Sequence, residues 1–192
     1  MGVLVGVGVL VYLAVWHRWQ IAWAGPGEYL LDVAGVCVAI AGHLLRVWAL
    51  SNIGTASRTT KLSAGRLVTE GPYTLVRHPL YLGNWVIALG LFMVSRDALL
   101  LAIGPALVLV WYLKISREEE RFLEEQFGDE YRAYAARVPR FFPLRGWTKA
   151  QFDLWRAMSL WFRTKEYQAL IGTATFIILR EIIEAAPHLG RL

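Results

Sequence analysis

At 192 residues the chain is long enough for one compact domain, and nothing in it forces a second. Its hydrophobic content of 56%, against the roughly 45–50% usual for soluble domains, and its mean hydropathy of +0.42 argue against a soluble globular class. The single Cys37, a packing residue inside an apolar run, excludes a disulfide framework and a thiol-rich metal site, and the net charge of +5 is distributed as suits anionic lipid rather than nucleic acid.

The first apolar block covers residues 2–23 and carries His17 and Arg18 near its end, where a long side chain reaches the interface. It lacks the positively charged start and small-residue cleavage site of a signal peptide, so it reads as a retained span. Gly25-Pro26-Gly27 breaks it. A second block, residues 29–50, holds His43 and Arg46 three positions apart, on similar faces of a helix. Residues 51–78 are too polar to span. Blocks 80–94 and 98–115 follow, joined by Ser95-Arg96-Asp97, which predicts a tight antiparallel helical hairpin.

After Ser116 the pattern predicts a separate charged helix over residues 117–138, with Phe122, Leu123, Phe127, Tyr131 and Tyr134 as its apolar stripe and Pro139 and Pro143 ending it. Residues 151–186 mix Phe152, Trp155 and Trp161 with Arg156, Arg163 and Lys165, an interfacial composition. Within them residues 169–179 are uncharged, too short for a simple span, which predicts a buried or in-plane helix. The fold class is therefore all-α and integral to the membrane: four to five transmembrane helices and a C-terminal helical tail. The whole chain, 1–192, reads as one membrane-embedded domain. Residues 1–50 supply the first two spans, 51–143 the polar motifs with spans three and four, and 144–192 the amphipathic or buried tail. The 9 Trp, 8 Tyr and 8 Phe suit headgroup-level belts. Arg58, Lys61, Arg66 and Arg77 lie between spans two and three, against mainly Arg18 and Arg96 opposite, which places residues 51–78 and the charged tail in the cytoplasm.

Polar residues beside membrane spans are expensive and point to function. In Tyr73-Thr74-Leu75-Val76-Arg77-His78-Pro79-Leu80-Tyr81, Gly71-Pro72 forces a preceding turn and Pro79 suits the first turn of span three. Arg77 and His78 then sit at a helix start, where an anion such as the carboxylate of an amino-acid-like cofactor fits. The plainer alternative is an arginine on lipid phosphate and a histidine that caps the helix. The second group is Arg117-Glu118-Glu119-Glu120. It reads either as a solvated helix start or as an inward carboxylate that meets a cation, an amine or a hydroxyl, because Glu118 and Glu119 lie about 100° apart. Glu120 is expected to be solvated.

Together these groups resemble one family. Arg77-His78-Pro79-Leu80-Tyr81-Leu82-Gly83, a helical hairpin, Glu118-Glu119, then Phe127-Gly128-Asp129-Glu130-Tyr131-Arg132-Ala133-Tyr134 and Val138-Pro139 look like the isoprenylcysteine carboxyl methyltransferases and the wider phospholipid methyltransferase group. The resemblance covers roughly residues 68–143. It implies S-adenosylmethionine as cofactor, held in a cytoplasmic cofactor pocket, and a lipophilic, membrane-dissolved acceptor or lipid. It further implies that Gly65, Arg66, Leu67 and Val68 line the cofactor largely through backbone, with Tyr73, His78, Pro79, Leu80 and Tyr81 completing the pocket. Glu119, with Glu118 beside it, falls at the catalytic, acceptor side, and no metal is implied.

Two positions depart from the family pattern. Ile115 stands where the eukaryotic carboxyl methyltransferases carry an acceptor-binding arginine, although Lys114 and Arg117 flank it, and a cofactor-contacting glutamine falls near Arg58. The first departure favours a neutral or amine acceptor, and an ammonium, with a pKa near ~10, needs a base such as Glu119 before it attacks. Two other classes compete: an NADPH-dependent reductase of the membrane sterol and steroid type, which shares an R-H-P-like turn, and a non-catalytic module that binds lipid through the basic, aromatic tail. The acceptor and the oligomeric state are not set by the sequence.

Overall fold

The computed structural model describes residues 27–53, 66–142 and 167–189. The predicted first span, Gly65 and the Trp-rich start of the tail lie outside these. The described elements, in order, are α1 (Gly27–Ile53), a 3-10 turn (Gly71–Thr74), α2 (Pro79–Ser95), α3 (Ala98–Phe127), α4 (Asp129–Ala135) and α5 (Tyr167–Leu189). No strand occurs among the described residues.

Tyr29–Ile53 and Ala98–Phe127 are long and apolar enough to cross a membrane, and Pro79–Ser95 is a shorter apolar helix. Large apolar side chains remain exposed along both long helices, including Val33, Ile40 and Leu44 on α1 and Leu107, Val110 and Trp111 on α3. An outward apolar surface of this extent is what a lipid-facing bundle presents and a water-soluble one avoids. Cys37 lies on that outward surface of α1, so its expected packing role is not what the fold gives it.

The tightest packing is between α1 and α2, which run antiparallel with glycines at the crossing points. A Cβ built on Gly35 would lie 2.7 Å from the Gly90 carbonyl, and one on Gly42 would lie 2.8 Å from that of Gly83. Small residues let the backbones approach where lipid offers no hydrophobic drive for association. The α2–α3 hairpin turns where the sequence predicts it. Arg96 takes a left-handed φ of 51°, and the Asp97 side chain caps α3 by accepting from the Leu100 N–H at 2.8 Å. Arg96 also forks onto Asp32 of α1, with Nε 3.0 Å from Oδ1, and buried Arg180 of α5 approaches the same carboxylate at 3.6 Å. This ion cluster ties three helices together at the hairpin end.

Two elements differ from the sequence reading. There is no break after Ser116: α3 runs unbroken for 30 residues, about 45 Å, and its charged half projects past the apolar run. Ser116 returns its hydroxyl to the Leu113 carbonyl at 3.1 Å, which a helix interior tolerates. The helix ends instead at Gly128, whose φ of +53° lets the chain turn into α4. In the tail, the eleven-residue uncharged run lies within a helix of 23 residues, because polar flanks such as Gln168 and Glu181 continue a helix as readily as apolar ones.

Candidate active site

The site begins with two backbone pairings far apart in sequence. The Arg77 N–H donates to the Pro139 carbonyl at 2.9 Å and the His78 N–H to that of Arg140 at 3.2 Å. Proline at 79, in the first turn of α2, needs no partner for a missing N–H. The R-H-P segment thus lies along the chain leaving α4. A third tie fixes α4 itself: the buried Tyr134 hydroxyl donates to the Tyr73 carbonyl at 2.7 Å. Burial raises the Tyr134 pKa, so this donor keeps its proton at any physiological pH. Tyr134→Phe leaves that carbonyl without its donor and is expected to cost about 1–3 kcal/mol, readable as a lower melting temperature in detergent.

Into this frame α3 delivers Glu120, which is 8% exposed and therefore not the solvated residue expected. Its Oε1 lies 3.0 Å from His78 Nε2, 3.0 Å from Arg140 Nε and 3.4 Å from Arg77 Nη1, and Arg140 also reaches Oε2. The hydrogen bond to Glu120 raises the Arg140 pKa further. Arg77 and His78, expected to receive an anionic ligand at the start of α2, are thus engaged by an acid of the chain itself. The reason is long-range: the projecting half of α3 passes beneath the R-H-P turn.

His78 bridges the two neighbouring acids. Its Nδ1 lies 3.6 Å from Glu119 Oε2, and the Glu119 side chain is 35% exposed with no arginine or lysine bound to it among the described residues. The His78 ring stacks on Tyr81 at 5.4 Å, and Tyr81 stacks on Tyr112 at 5.2 Å. Tyr73 is buried close by: its pKa is raised first by burial and next by the charge of Glu119. Glu119, His78, Tyr81 and Tyr73 therefore come together, with Pro79 buried and Leu80 half-buried beside them. Glu118 is exposed and turned away. Exposed Arg66 and half-buried Leu67 and Val68 form non-helical chain before the 3-10 turn, and Gly65 lies outside the described residues.

Two participants, Tyr112 and Arg140, escaped sequence reading. Tyr112 is seven positions before Glu119 on the same face of α3, a spacing visible in the sequence. Arg140 directly follows the Val138-Pro139 motif. Arg46, from α1, donates to Asn84 Oδ1 of α2, whereas His43 meets Thr173 Oγ1 of α5 at 3.1 Å. The two α1 side chains read as sharing a face thus serve different neighbours.

Fold and site together define a membrane-associated helical protein with an acid, a histidine and stacked tyrosines beside an apolar helix. Residues 31–130 match the phospholipid methyltransferase family, and the chain belongs to it. It is 34% identical over 180 residues to the cobalt-zinc-cadmium resistance protein CzcN of Cupriavidus metallidurans, covering 92% of this chain and 76% of that protein. It is 31% identical to the nickel-cobalt-cadmium resistance protein NccN of Alcaligenes xylosoxydans xylosoxydans, covering 95% and 79%. Against the protein-S-isoprenylcysteine O-methyltransferase of Rattus norvegicus it is 30% identical over 128 residues, 65% of this chain and 43% of that enzyme. Among the described residues no group of three or more His, Cys, Asp or Glu side chains is placed to hold a metal ion.

Proposed function

We propose that the chain is a multi-pass membrane methyltransferase that uses S-adenosylmethionine to methylate a lipophilic acceptor dissolved in the membrane, its site facing the cytoplasm. The observation that carries this is the asymmetry of the two acids. Glu120 is neutralised by Arg77 and Arg140, while Glu119, half-exposed beside His78, keeps its charge available to a ligand. Family membership and the isoprenylcysteine methyltransferase relatives support the same reading.

The residues present fit this cofactor. A sulfonium and an ammonium are both cations, and the half-exposed carboxylate of Glu119 beside the stacked rings suits cations. Tyr73, His78, Pro79, Leu80 and Tyr81, with the backbone of Gly65, Arg66, Leu67 and Val68, would hold it. When bound, it supplies an electrophilic methyl carbon whose bonding pair stays with sulfur as the acceptor's lone pair forms the new bond. The chain's part is alignment and exclusion of water. Glu119 holds a cationic acceptor or takes its proton. Ile115, one turn earlier, puts an apolar side chain where a carboxylate acceptor would need a cation, so an amine or neutral acceptor fits better.

Calorimetry on detergent-purified protein tests this with S-adenosylhomocysteine and NADPH as alternative ligands. The first is expected to bind and the second not. Tyr81→Phe and His78→Ala should weaken S-adenosylhomocysteine about tenfold, a loss of about 1.4 kcal/mol. Binding of NADPH alone would replace the proposal with a reductase, and binding of neither would leave a lipid-binding module.

A further inference from the structure

A second concavity lies on a different face of α3. Arg117, Glu120, Arg121 and Glu124 recur at the i, i+3, i+4, i+7 spacing of one helix face, away from the face shared by Tyr112 and Glu119. With Tyr131 and Arg132 of α4, and Arg77 and Arg140 from the flanking turns, they line a cleft of about 490 Å³. Five arginines meet two glutamates there. Glu120 is taken up by Arg77 and Arg140, and Glu124 lies 3.4 Å from Arg132, which also pairs with Asp129 at 2.8 Å. Arg117 and Arg121 make no ion pair among the described residues, so two guanidinium charges face the cleft without a counter-charge.

The wall of the cleft adds two polar atoms that lack partners. Tyr131 is 4% exposed, and its hydroxyl has no hydrogen-bond partner; nor does the buried Nε of Arg77. The hydroxyl and the Arg77 guanidinium lie side by side and interact with each other. Burial pushes the Tyr131 pKa up to about 12, so the group stays an O–H donor. A ligand with several acceptor oxygens and about two negative charges would meet the exposed guanidinium groups of Arg117 and Arg121. A carboxylate brings one charge and two oxygens, whereas a phosphate monoester brings nearly two charges and three oxygens that match arginine forks.

We infer that this cleft binds a phosphate monoester, in a site separate from that of methyl transfer. Two sources share that chemistry: a lipid headgroup and a free phosphate. The position bears on the first, because Arg117 stands two residues, about 3 Å, beyond the end of the apolar run at Ile115, at headgroup depth.

The test uses the full chain in detergent, with dioctanoyl phosphatidic acid and inorganic phosphate as separate probes and dissociation constants as the readout. At least one probe should bind, phosphatidic acid alone if the source is lipid and both if it is not. Arg117→Gln combined with Arg121→Gln should weaken binding about tenfold or more, as charge-assisted hydrogen bonds are lost. The double variant changes exposed groups that make no ion pair among the described residues, so melting temperature and S-adenosylhomocysteine affinity should stay as in wild type. Arg137→Gln, an exposed arginine outside the cleft, should leave binding within twofold. The inference falls if neither probe binds, if the double variant binds like wild type, or if Arg137→Gln loses as much as the double variant. None of these outcomes depends on whether the chain transfers methyl groups.

Discussion

Glu120→Gln is expected to destabilise the protein by about 3 kcal/mol, more than any other conservative change in the site. The substitution keeps size and one acceptor but removes the charge that Arg77, His78 and Arg140 share. Two guanidinium groups are then left partly buried without a counter-ion, a loss that runs to about 3–5 kcal/mol in dry interiors. The lower end applies because Arg140 is 28% exposed and water screens it. For a chain of this size that corresponds to a melting temperature about 6–12 °C lower in detergent. On the methyl-transfer reading S-adenosylhomocysteine affinity should fall with it, since Arg140 also holds the His78 backbone through its carbonyl. Glu118→Gln, on an exposed neighbour, should leave the melting temperature unchanged. A shift below about 2 °C for Glu120→Gln would mean that the four-residue cluster is solvated in practice.

What could be read from the sequence was local. Ser95-Arg96-Asp97 announces a hairpin because a left-handed residue followed by an aspartate cap acts within one turn, and Pro79 marks the start of α2 for the same kind of reason. Glu119, His78 and Tyr81 were legible only as a pattern of residue types, and the fold brings them within reach of one another. The end of α3 was misplaced because the change from apolar to charged residues after Ser116 marks the edge of an apolar layer, which the backbone ignores. Gly128, twelve residues on, carries the actual terminating conformation. Glu120 was misjudged for a different reason. Which of three consecutive acids turns inward depends on where Arg77 and Arg140 arrive, and those positions are set by the Arg77–Pro139 and His78–Arg140 backbone bonds across more than sixty residues. No periodicity in the acidic run contains that information.

The second large effect concerns the neighbouring acid, and on the methyl-transfer reading it is kinetic. Glu119→Gln is expected to lower turnover by about 10²–10⁴-fold, the usual contribution of a positioned base, while S-adenosylhomocysteine affinity stays within about threefold. The measurement is transfer of an isotopically labelled methyl group into extracted native lipids, followed by mass spectrometry at saturating donor. The expectation rests on geometry: Glu119 is half-exposed, 3.6 Å from His78 Nδ1, and carries no arginine or lysine partner among the described residues that its loss would strand. Glutamine keeps its volume and its hydrogen bonding, so the melting temperature should hold, in contrast to Glu120→Gln. Adjacent positions on one helix would then separate cleanly, Glu120 reporting on the frame and Glu119 on the reaction. A wild-type rate for Glu119→Gln would remove this carboxylate from acceptor activation and assign the deprotonation, where the acceptor needs one, to another group. A lost rate with an equally lowered melting temperature would instead make Glu119 a second member of the structural cluster, held to His78 as Glu120 is.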